Sequence, residues 1–241
     1  MRIKGALFDK DGTLIDFTAS WRGMIEAMIA GYAKGDDALA LALGDAIGFD
    51  GRTGAFLPGS PVVADSNDVV AGLIAALLPG VTAEEVEDDA NRRAAAAAAG
   101  DDAGVAAVPG LAEALDRLAA LGIASGVATH DSEAAARAQT TALGVIDRFS
   151  FISGYDSGWG LKPGPGMPNA FAAAIGAHPG EIVMVGDSLH DLEAGRAAGC
   201  AAAVAVLTGP AGEAELAPHA DVVLPSIADL PDYLQREFGG D

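Results

Sequence analysis

Residues 3–16 read "IKGALFDKDGTLID", and this segment joins an apolar run to two closely spaced acids. A short apolar run that ends in an acid is typical of a buried strand leading into a functional loop. Asp9 and Asp11 lie two residues apart, with Lys10 between them. On an extended chain these carboxylates point the same way, which costs free energy unless a positive charge lies close by. The segment therefore predicts a strand followed by a loop whose acids need a cationic partner.

Five further apolar runs resemble this strand, and helical segments lie between most of them. The runs are "IASGVAT" (123–129), "RFSFISG" (148–154), "EIVMVGD" (181–187), "AAAVAVL" (201–207) and the weaker "ADVVL" (220–224). The helical segments are 109–122, 132–144, 164–176 and 188–199, each closed by a glycine. Because strands that are apolar throughout alternate with helices, the sequence predicts an α/β fold with a Rossmann-like, three-layer core around a mostly parallel sheet.

The segment 17–105 has a different pattern, because it contains no convincing strand. Four helical segments are predicted there, separated by loops rich in glycine and proline. The last one opens at Thr82 and has Glu85 three residues on, which is a capping-box signature. We therefore predict an all-helical domain, residues 17–105, inserted into a discontinuous core of residues 1–16 and 106–241.

Composition excludes several classes of function. The 241 residues include 34 acidic and 14 basic side chains, for a formal net charge of −20. Nucleic-acid binding needs a basic surface, so it is not expected, and an anion site must be made positive locally by a metal or a few cations. One cysteine, Cys200, excludes a disulfide within the chain, and neither a signal peptide nor a membrane span is indicated. We expect a cytoplasmic protein without a membrane partner.

Polar residues follow the predicted strands at the end where an open parallel sheet binds its ligands. They are Asp9, Asp11, Gly12 and Thr13 after the first strand, Thr129, His130 and Asp131 after the second, Lys162 in the loop "GLKPGPG", and Asp187 with Asp191 after the fourth. We expect three of the acids, Asp9, Asp11 and Asp187, to converge at one edge of the sheet with one hydroxyl and one lysine. Asp131 is expected to cap the helix that follows it.

Four ordered motifs in the chain resemble those of the haloacid dehalogenase superfamily. They are "DKDGT" (9–13), Thr129 behind an apolar strand, "KP" (162–163) and "GDSLHD" (186–191). The helical insertion between the first two motifs resembles that superfamily's first, C1-type cap domain. Within the superfamily, the chain is most similar to phosphoglycolate phosphatases and related small-molecule phosphatases.

Three positions depart from the usual superfamily pattern. Lys10 replaces a common apolar residue, His130 stands where asparagine is frequent, and Gly166 stands where aspartate is frequent. None of these departures removes a group that the implied chemistry needs. They bear on the subfamily and not on the class of reaction.

The resemblance implies phosphoryl transfer in two displacements through an aspartyl-phosphate, with Asp9 as the nucleophile. A carboxylate that attacks a phosphate dianion needs its charge neutralised, and Mg²⁺, a hard cation with oxygen ligands, is the implied cofactor. The implied ligands are Asp9, the backbone carbonyl of Asp11, and Asp187. Asp191 is implied either as another ligand or as a hydrogen-bond partner of the ligands.

The same resemblance assigns the proton and the phosphoryl oxygens. Asp11 is implied as the general acid that protonates the leaving alkoxide and then as the base that activates water. Dehalogenases and phosphonatases lack an acid at this position. Thr129 would donate its hydroxyl to a phosphoryl oxygen, and Lys162 would neutralise phosphoryl charge. Gly12 and Thr13 would turn the backbone so that its N–H groups bind the phosphate.

Fewer residues can be assigned to the leaving group of the substrate. Arg52, in the loop "GFDGRTGAF", is the leading candidate for a cation that binds the substrate, and Arg22 and Lys34 compete with it. His130 is a further candidate, through its side chain or through its backbone alone. Trp159 is expected either to shield the site from water or simply to pack.

The predicted function is a Mg²⁺-dependent phosphatase that acts on a small phosphorylated metabolite, 2-phosphoglycolate or a similar ester. A sugar-phosphate phosphatase and a phosphotransferase of the β-phosphoglucomutase kind stay open as alternatives. A receiver-type phosphoacceptor module is a remote alternative, because its acceptor aspartate lies on the third strand and it has no cap. The sequence leaves the oligomeric state open.

Overall fold

The structure, a computed structural model, describes residues 2–57, 59–64, 67–98 and 105–239. The chain divides into two compact units. The core unit comprises Met1–Asp16 and Ala106–Asp241, and the helical unit comprises Phe17–Val105. Each unit has its own hydrophobic core, which is why each is described by itself below.

Strands and helices are numbered in chain order. The strands are β1 (Gly5–Phe8), β2 (Phe49–Asp50), β3 (Ala55–Phe56), β4 (Ala124–Ala128), β5 (Phe149–Ser153), β6 (Ile182–Gly186), β7 (Ala202–Val206) and β8 (Val222–Leu224). The helices are α1 (Phe17–Ala33), α2 (Asp37–Ala46), α3 (Pro61–Ala64), α4 (Asn67–Ala75), α5 (Ala83–Ala98), α6 (Leu111–Ala120), α7 (Glu133–Ala142), α8 (Gly166–Ala174), α9 (Leu189–Ala198), α10 (Glu213–Leu216) and α11 (Leu230–Phe238).

The core unit is built on a six-stranded parallel sheet in the order β5-β4-β1-β6-β7-β8. Strand β1 lies in the middle of this order, and Phe8 pairs with Val127 of β4 on one side and with Val185 of β6 on the other. These three strands therefore end at nearly the same level. The residues that follow them emerge together at one edge of the sheet, which is the arrangement needed for a ligand site.

Helices cover both faces of the sheet, as the uninterrupted apolar strands require. Phe8 packs in a cluster with Leu115 of α6 and Leu234 of α11. Leu7 points to the opposite face, because side chains alternate along a strand, and packs with Phe171 of α8. The predicted Rossmann-like, three-layer α/β core is confirmed. Within the described ranges, no helix has both the length and the apolar character that would let it cross a bilayer.

The helical unit contains α1 to α5, and its α5 begins as the sequence predicts. The backbone N–H of Thr82 donates to Oε2 of Glu85 at 2.8 Å, and the N–H of Glu85 donates back to Oγ1 of Thr82 at 3.2 Å. This reciprocal pair is a capping box, and it satisfies two backbone donors that a helix start leaves unpaired.

The helical unit also contains a short antiparallel hairpin, β2–β3, where the sequence analysis expected no strand. The turn is held by Asp50, whose carboxylate accepts from the N–H of Arg52 at 2.9 Å and from Oγ1 of Thr53 at 2.8 Å. Phe49 and Phe56 pack across the hairpin with ring centroids 5.2 Å apart. The expectation of an all-helical insertion is therefore corrected. Strands of two residues are too short to show an alternating pattern, and an Asx turn with one aromatic pair is enough to form them.

Candidate active site

The loop after β1 turns sharply at Gly12. Gly12 has φ +80°, and its N–H donates to the carbonyl of Ile15 at 2.8 Å. A Cβ atom at this position would overlap the carboxylate of Asp187. Glycine is required here for two reasons, because the backbone is left-handed and because a carboxylate from β6 approaches it closely.

Lys162 connects two buried carboxylates in the core unit. Its Nζ lies 2.5 Å from Oδ1 of Asp9 and 2.6 Å from Oδ1 of Asp191. Burial disfavours the ammonium form, but the two carboxylates outweigh burial and raise the pKa of Lys162 above its usual value. The lysine is therefore a fixed positive charge at the end of β1.

Asp9, Asp187 and Asp191 form a buried acidic cluster. One carboxylate oxygen from each lies within 4.8 Å of the others. Burial raises the pKa of Asp9 from 3.8 to about 7; Lys162 opposes this increase and Asp191 adds to it. Burial, and after it the charges of Asp9 and Asp191, also raise the pKa of Asp187. One lysine does not balance three carboxylates, so the cluster is electrostatically suited to a further cation.

The hydrogen bonds of the cluster indicate which carboxylate oxygens could bind a metal. Asp191 accepts from Lys162 through Oδ1 and from the hydroxyl of Ser188 through Oδ2 at 2.6 Å, so both of its oxygens are engaged. Lys162 contacts one oxygen of Asp9, and Thr13 donates its hydroxyl to one oxygen of Asp187 at 3.2 Å. The second oxygens of Asp9 and Asp187 can therefore serve as ligands. A buried set of carboxylate oxygens fits a hard divalent cation such as Mg²⁺.

Two residues of the loop after β7 lie beside the acidic cluster and were not identified from the sequence. Thr208 donates its hydroxyl to the carbonyl of Gly12 at 2.6 Å. A Cβ atom at Gly209 would overlap the carboxylate of Asp187, so this carboxylate lies between two glycines. The signal that could have found them is their position, because "LTG" (207–209) follows a strand that ends at the same edge of the sheet.

Thr129 and His130 follow β4. Thr129 is buried, its N–H donates to the carbonyl of Ser153 at 3.0 Å, and its Oγ1 accepts from the N–H of Asp131 at 3.1 Å. Its hydroxyl proton can still be donated to a ligand. Nε2 of His130 lies 3.1 Å from the backbone carbonyl of Lys162, so Nε2 is the donor. Burial, with Lys162 as the next cause, lowers the pKa of His130 to about 4.

Lys10 is completely buried and forms ion pairs with two acids. Its Nζ pairs with Oδ2 of Asp11 and lies 2.9 Å from Oδ2 of Asp131. Burial opposes the charge, but the two carboxylates outweigh it and raise the pKa of Lys10. Asp131 does not cap α7 as expected. Ser132 does, because its Oγ accepts from the N–H of Ala135 at 3.2 Å.

The roles that the sequence analysis gave to three further residues stay predictions, and the structure gives the position of each. Arg52 is exposed in the β2–β3 turn of the helical unit. Thr13 is fully buried with its hydroxyl on Asp187, so a contact with substrate would come from its backbone. Trp159 lies in the core unit before Lys162 and is half exposed.

Comparison with known proteins identifies the family. The family model described as a haloacid dehalogenase-like hydrolase matches residues 3–199, which is most of the chain. This protein therefore belongs to the haloacid dehalogenase-like hydrolases, as its four ordered motifs predicted.

Relatives within the family are similar at modest identity. The phosphoglycolate phosphatase of Chromobacterium violaceum is 39% identical over 128 residues, which cover 53% of this chain and 56% of that protein. The phosphoglycolate phosphatase of Pectobacterium atrosepticum is 28% identical over 231 residues, covering 95% of this chain and 91% of that protein. For most of the curated relatives it matches, the chain spans about half their length.

The fold is shared with solved structures. A haloacid dehalogenase family hydrolase from Deinococcus radiodurans R1, crystallised with bound phosphate and sodium, superimposes with a TM-score of 0.70 at 23% identity. The superposition covers 97% of this chain and 96% of that one. At this level of identity the likeness establishes the fold.

Proposed function

We propose that this protein is a Mg²⁺-dependent phosphatase that hydrolyses a small phosphate monoester, 2-phosphoglycolate or a similar metabolite, through an aspartyl-phosphate on Asp9. The observation that carries the proposal is the contact of 2.5 Å between Asp9 and Lys162 within the acidic cluster that Asp187 and Asp191 complete. The phosphoglycolate phosphatases among its relatives support the choice of substrate class.

Two displacements account for the reaction. In the first, a carboxylate oxygen of Asp9 attacks phosphorus, the bond from phosphorus to the alcohol oxygen breaks, and Asp11 gives its proton to that oxygen. In the second, Asp11 takes a proton from water, the water oxygen attacks phosphorus, and the carboxylate of Asp9 is released. One ester and one water are consumed, and one alcohol and one phosphate are formed.

The surrounding residues stabilise the charge that moves. Lys162 favours the ionised form of Asp9 against the effect of burial and would neutralise charge on the phosphoryl group, and Thr129 would donate its hydroxyl to a phosphoryl oxygen. Asp191 keeps Lys162 in place. Asp9, Asp187 and the backbone carbonyl of Asp11 would hold Mg²⁺, which when bound neutralises the carboxylates and the phosphoryl oxygens.

The helical unit, residues 17–105, is proposed as the cap that selects the substrate. Its leading candidate for a cation that binds the substrate is Arg52. An Arg52→Ala change would then raise KM for 2-phosphoglycolate with little effect on kcat, because only binding would be weakened. An unchanged KM would remove Arg52 from the proposal and leave the chemistry of the core unit untouched.

The test is release of inorganic phosphate from a panel of phosphate esters that includes 2-phosphoglycolate, hexose phosphates and p-nitrophenyl phosphate. We expect turnover with Mg²⁺ and none with excess EDTA. Asp9→Asn should abolish turnover, whereas Asp116→Asn, on an exposed carboxylate of α6, is the matched control and should not. Near wild-type turnover by Asp9→Asn would refute the nucleophile.

The same panel tests transfer to a sugar instead of water. A phosphotransferase of the β-phosphoglucomutase kind would interconvert two hexose phosphates without net release of phosphate. A phosphatase releases phosphate from every substrate that it turns over. Conversion without release would therefore replace the hydrolase by the transferase while keeping Asp9 as the nucleophile.

A further inference from the structure

We propose that Lys10, supported by Asp131, is a positioning residue that orients the carboxylate of Asp11 for proton transfer; this inference rests on the proposed function. The sequence analysis noted Lys10 only as a departure from the family pattern. Three features of the core unit carry the inference: the burial of Lys10, the anchoring of Asp131 and the separate lysine that serves Asp9.

Because Lys10 is buried, its ammonium group has to stay paired with Asp11 or Asp131. The side chain of Lys10 has no exposed surface, whereas those of Asp11 and Asp131 are 25% and 36% exposed. An ammonium group without water must keep a carboxylate partner, because an unpaired buried charge is strongly unfavourable. The backbone of Lys10 is also fixed, since its carbonyl accepts from the N–H groups of Leu14 and Ile15, both at 2.9 Å. Nζ is therefore held at a defined position beside Asp11.

Asp131 is the stationary partner of this ammonium group. Its N–H donates to Oγ1 of Thr129 at 3.1 Å, and its carbonyl accepts from the N–H of Tyr155 at 2.9 Å. Both backbone groups of Asp131 are thus used, and the Ser132 cap fixes the residue that follows. Because Asp131 pairs with Lys10 independently, the ammonium keeps a counter-ion when Asp11 turns toward a leaving group or a water.

Each acid of the "DKD" motif has its own buried lysine. Lys162 contacts Asp9 and Asp191, whereas Lys10 contacts Asp11 and Asp131. The chain has only four lysines, at positions 4, 10, 34 and 162, and two of them lie here. The nucleophile and the proton-transfer group are therefore oriented by different cations, which allows one to be perturbed without the other.

The experiment compares kcat/KM for two kinds of substrate. An alkyl phosphate needs its leaving oxygen protonated, whereas 2,4-dinitrophenyl phosphate releases an anion that is already stable. A general acid contributes about 10²- to 10⁴-fold, and a misplaced group forfeits part of this, so Lys10→Met should lower kcat/KM roughly ten- to a hundredfold for the alkyl ester. For the dinitrophenyl ester, the loss should stay below about threefold, because phosphoryl transfer to Asp9 needs little help from the acid.

Two further variants keep the proposal testable if Lys10→Met does not fold. Asp131→Asn leaves Lys10 paired with Asp11 and should show the same selective loss at a smaller size. Lys4→Met is the matched control, since Lys4 is half-exposed and pairs with Glu181 at 2.8 Å, and its kcat/KM should not change for either ester. In a double variant of Lys10→Met and Asp131→Asn, the loss should match that of Lys10→Met alone, because Asp131 acts through Lys10.

The outcomes separate this inference from the proposed function. The positioning role would be overturned, and the proposed phosphatase left intact, if Lys10→Met lost activity equally on both esters or on neither. Should Lys10→Met not fold, the same two outcomes in Asp131→Asn decide the question. No release of phosphate by the wild-type protein from any ester would overturn the proposed function and this inference with it. A purely structural role for Lys10 predicts the equal loss, since partial unfolding lowers the amount of active enzyme for every substrate.

Discussion

Nζ of Lys162 lies 2.5 Å from Oδ1 of Asp9, although the two residues are 153 positions apart in the chain. Lys162 is 5% exposed and Asp9 is 8% exposed, so water screens this pair weakly. Each charge has been removed from water and depends on the other for compensation. The pair therefore links the stability of the core unit to the chemistry proposed for Asp9.

Replacing Lys162 should destabilise the metal-free protein. In Lys162→Met, the carboxylates of Asp9 and Asp191 lose their cation, and removal of one partner of a buried pair costs about 3–5 kcal/mol. The free energy of unfolding, measured by urea denaturation, should fall by this order at pH 8. It should fall less at pH 5, where Asp9, whose pKa is raised to about 7, can take up a proton instead.

Lys4→Met is the matched control for that measurement. The side chains of Lys4 and Glu181 are 47% and 24% exposed, so water screens this pair, and such pairs contribute about 0–1 kcal/mol. A loss in Lys162→Met as small as that in Lys4→Met would contradict the buried pair.

Asp9 should make the metal-free protein less stable as the pH rises from about 4 to about 7, whereas His130, whose pKa is lowered to about 4, contributes in the opposite direction. The pKa of Asp9 is raised from 3.8 to about 7, so in this range the folded state binds a proton that the unfolded chain has released. The free energy of unfolding falls with pH wherever the folded state binds more protons. Urea denaturation at several pH values in EDTA measures this slope.

Asp9→Asn isolates the contribution of Asp9 to the pH slope, because it removes the titrating group while keeping a side chain of similar shape. The free energy of unfolding of the wild type, measured relative to that of this variant, should fall as the pH rises from 4 to 7, because His130 titrates in both proteins and cancels in the difference. A difference that stays constant or rises over this range would contradict the raised pKa of Asp9.

Asp187→Asn should stabilise the metal-free protein and abolish its stabilisation by Mg²⁺. Burial and two neighbouring carboxylates raise the pKa of Asp187, so its charged form is unfavourable without a cation. A ligand at a hundred times its Kd stabilises the folded state by about 2.7 kcal/mol, and this increment should be present in the wild type and absent in the variant. Thermal unfolding with and without Mg²⁺ measures both the stability of the metal-free variant and the loss of stabilisation by Mg²⁺, with Asp116→Asn as control. Equal stabilisation of both proteins by Mg²⁺ would exclude Asp187 as a ligand.

Gly209→Ala should impair activity through Asp187. The added Cβ overlaps the Asp187 carboxylate and must displace it, which changes the geometry of the metal site. Displacements of about 1 Å at catalytic groups can cost on the order of a hundredfold in rate, so a loss of this size in kcat/KM is expected, together with weaker Mg²⁺ binding.

Gly212→Ala is the control in the same loop. Its Cβ meets no atom within 4 Å, and its φ of −84° suits any residue. Its activity should stay within about twofold of wild type, as for most surface changes. Equal losses in the two glycine variants would assign the effect to the loop as a whole.

The fold was largely predictable because its signal is local and repeated. Each strand of the parallel sheet is a continuous apolar run, and each of the helices α6 to α9 is followed within two residues by a glycine, so the order of these elements can be read from the chain. The β2–β3 hairpin could not be read, because its stability comes from the Asp50 turn and the pairing of Phe49 with Phe56 rather than from a pattern of hydrophobicity.

The principal acids and the lysine of the candidate site were predictable for a related reason. Asp9, Thr129 and Asp187 each follow a strand directly, and parallel strands in register bring their ends to one edge. The partners of these residues were not predictable. Asp131 was expected to cap α7, yet Ser132 caps it and Asp131 pairs with Lys10. Which residue caps a helix depends only on residues next to it in the chain. An ion pair depends instead on which loops the tertiary structure brings together.

The sequence by itself thus determines the order of the strands of the parallel sheet and of the helices α6 to α9, and which acids stand at the strand ends, because these follow from the spacing of apolar and polar residues along the chain. It also determines the family, through the four ordered motifs. Only the tertiary structure decides that Lys10 is buried against Asp11 and Asp131, and that Thr208 and Gly209 close on Gly12 and Asp187. The physical reason is that burial and charge pairing are set by distances between residues far apart in the chain. Strand order and register create those distances, and no local pattern encodes them.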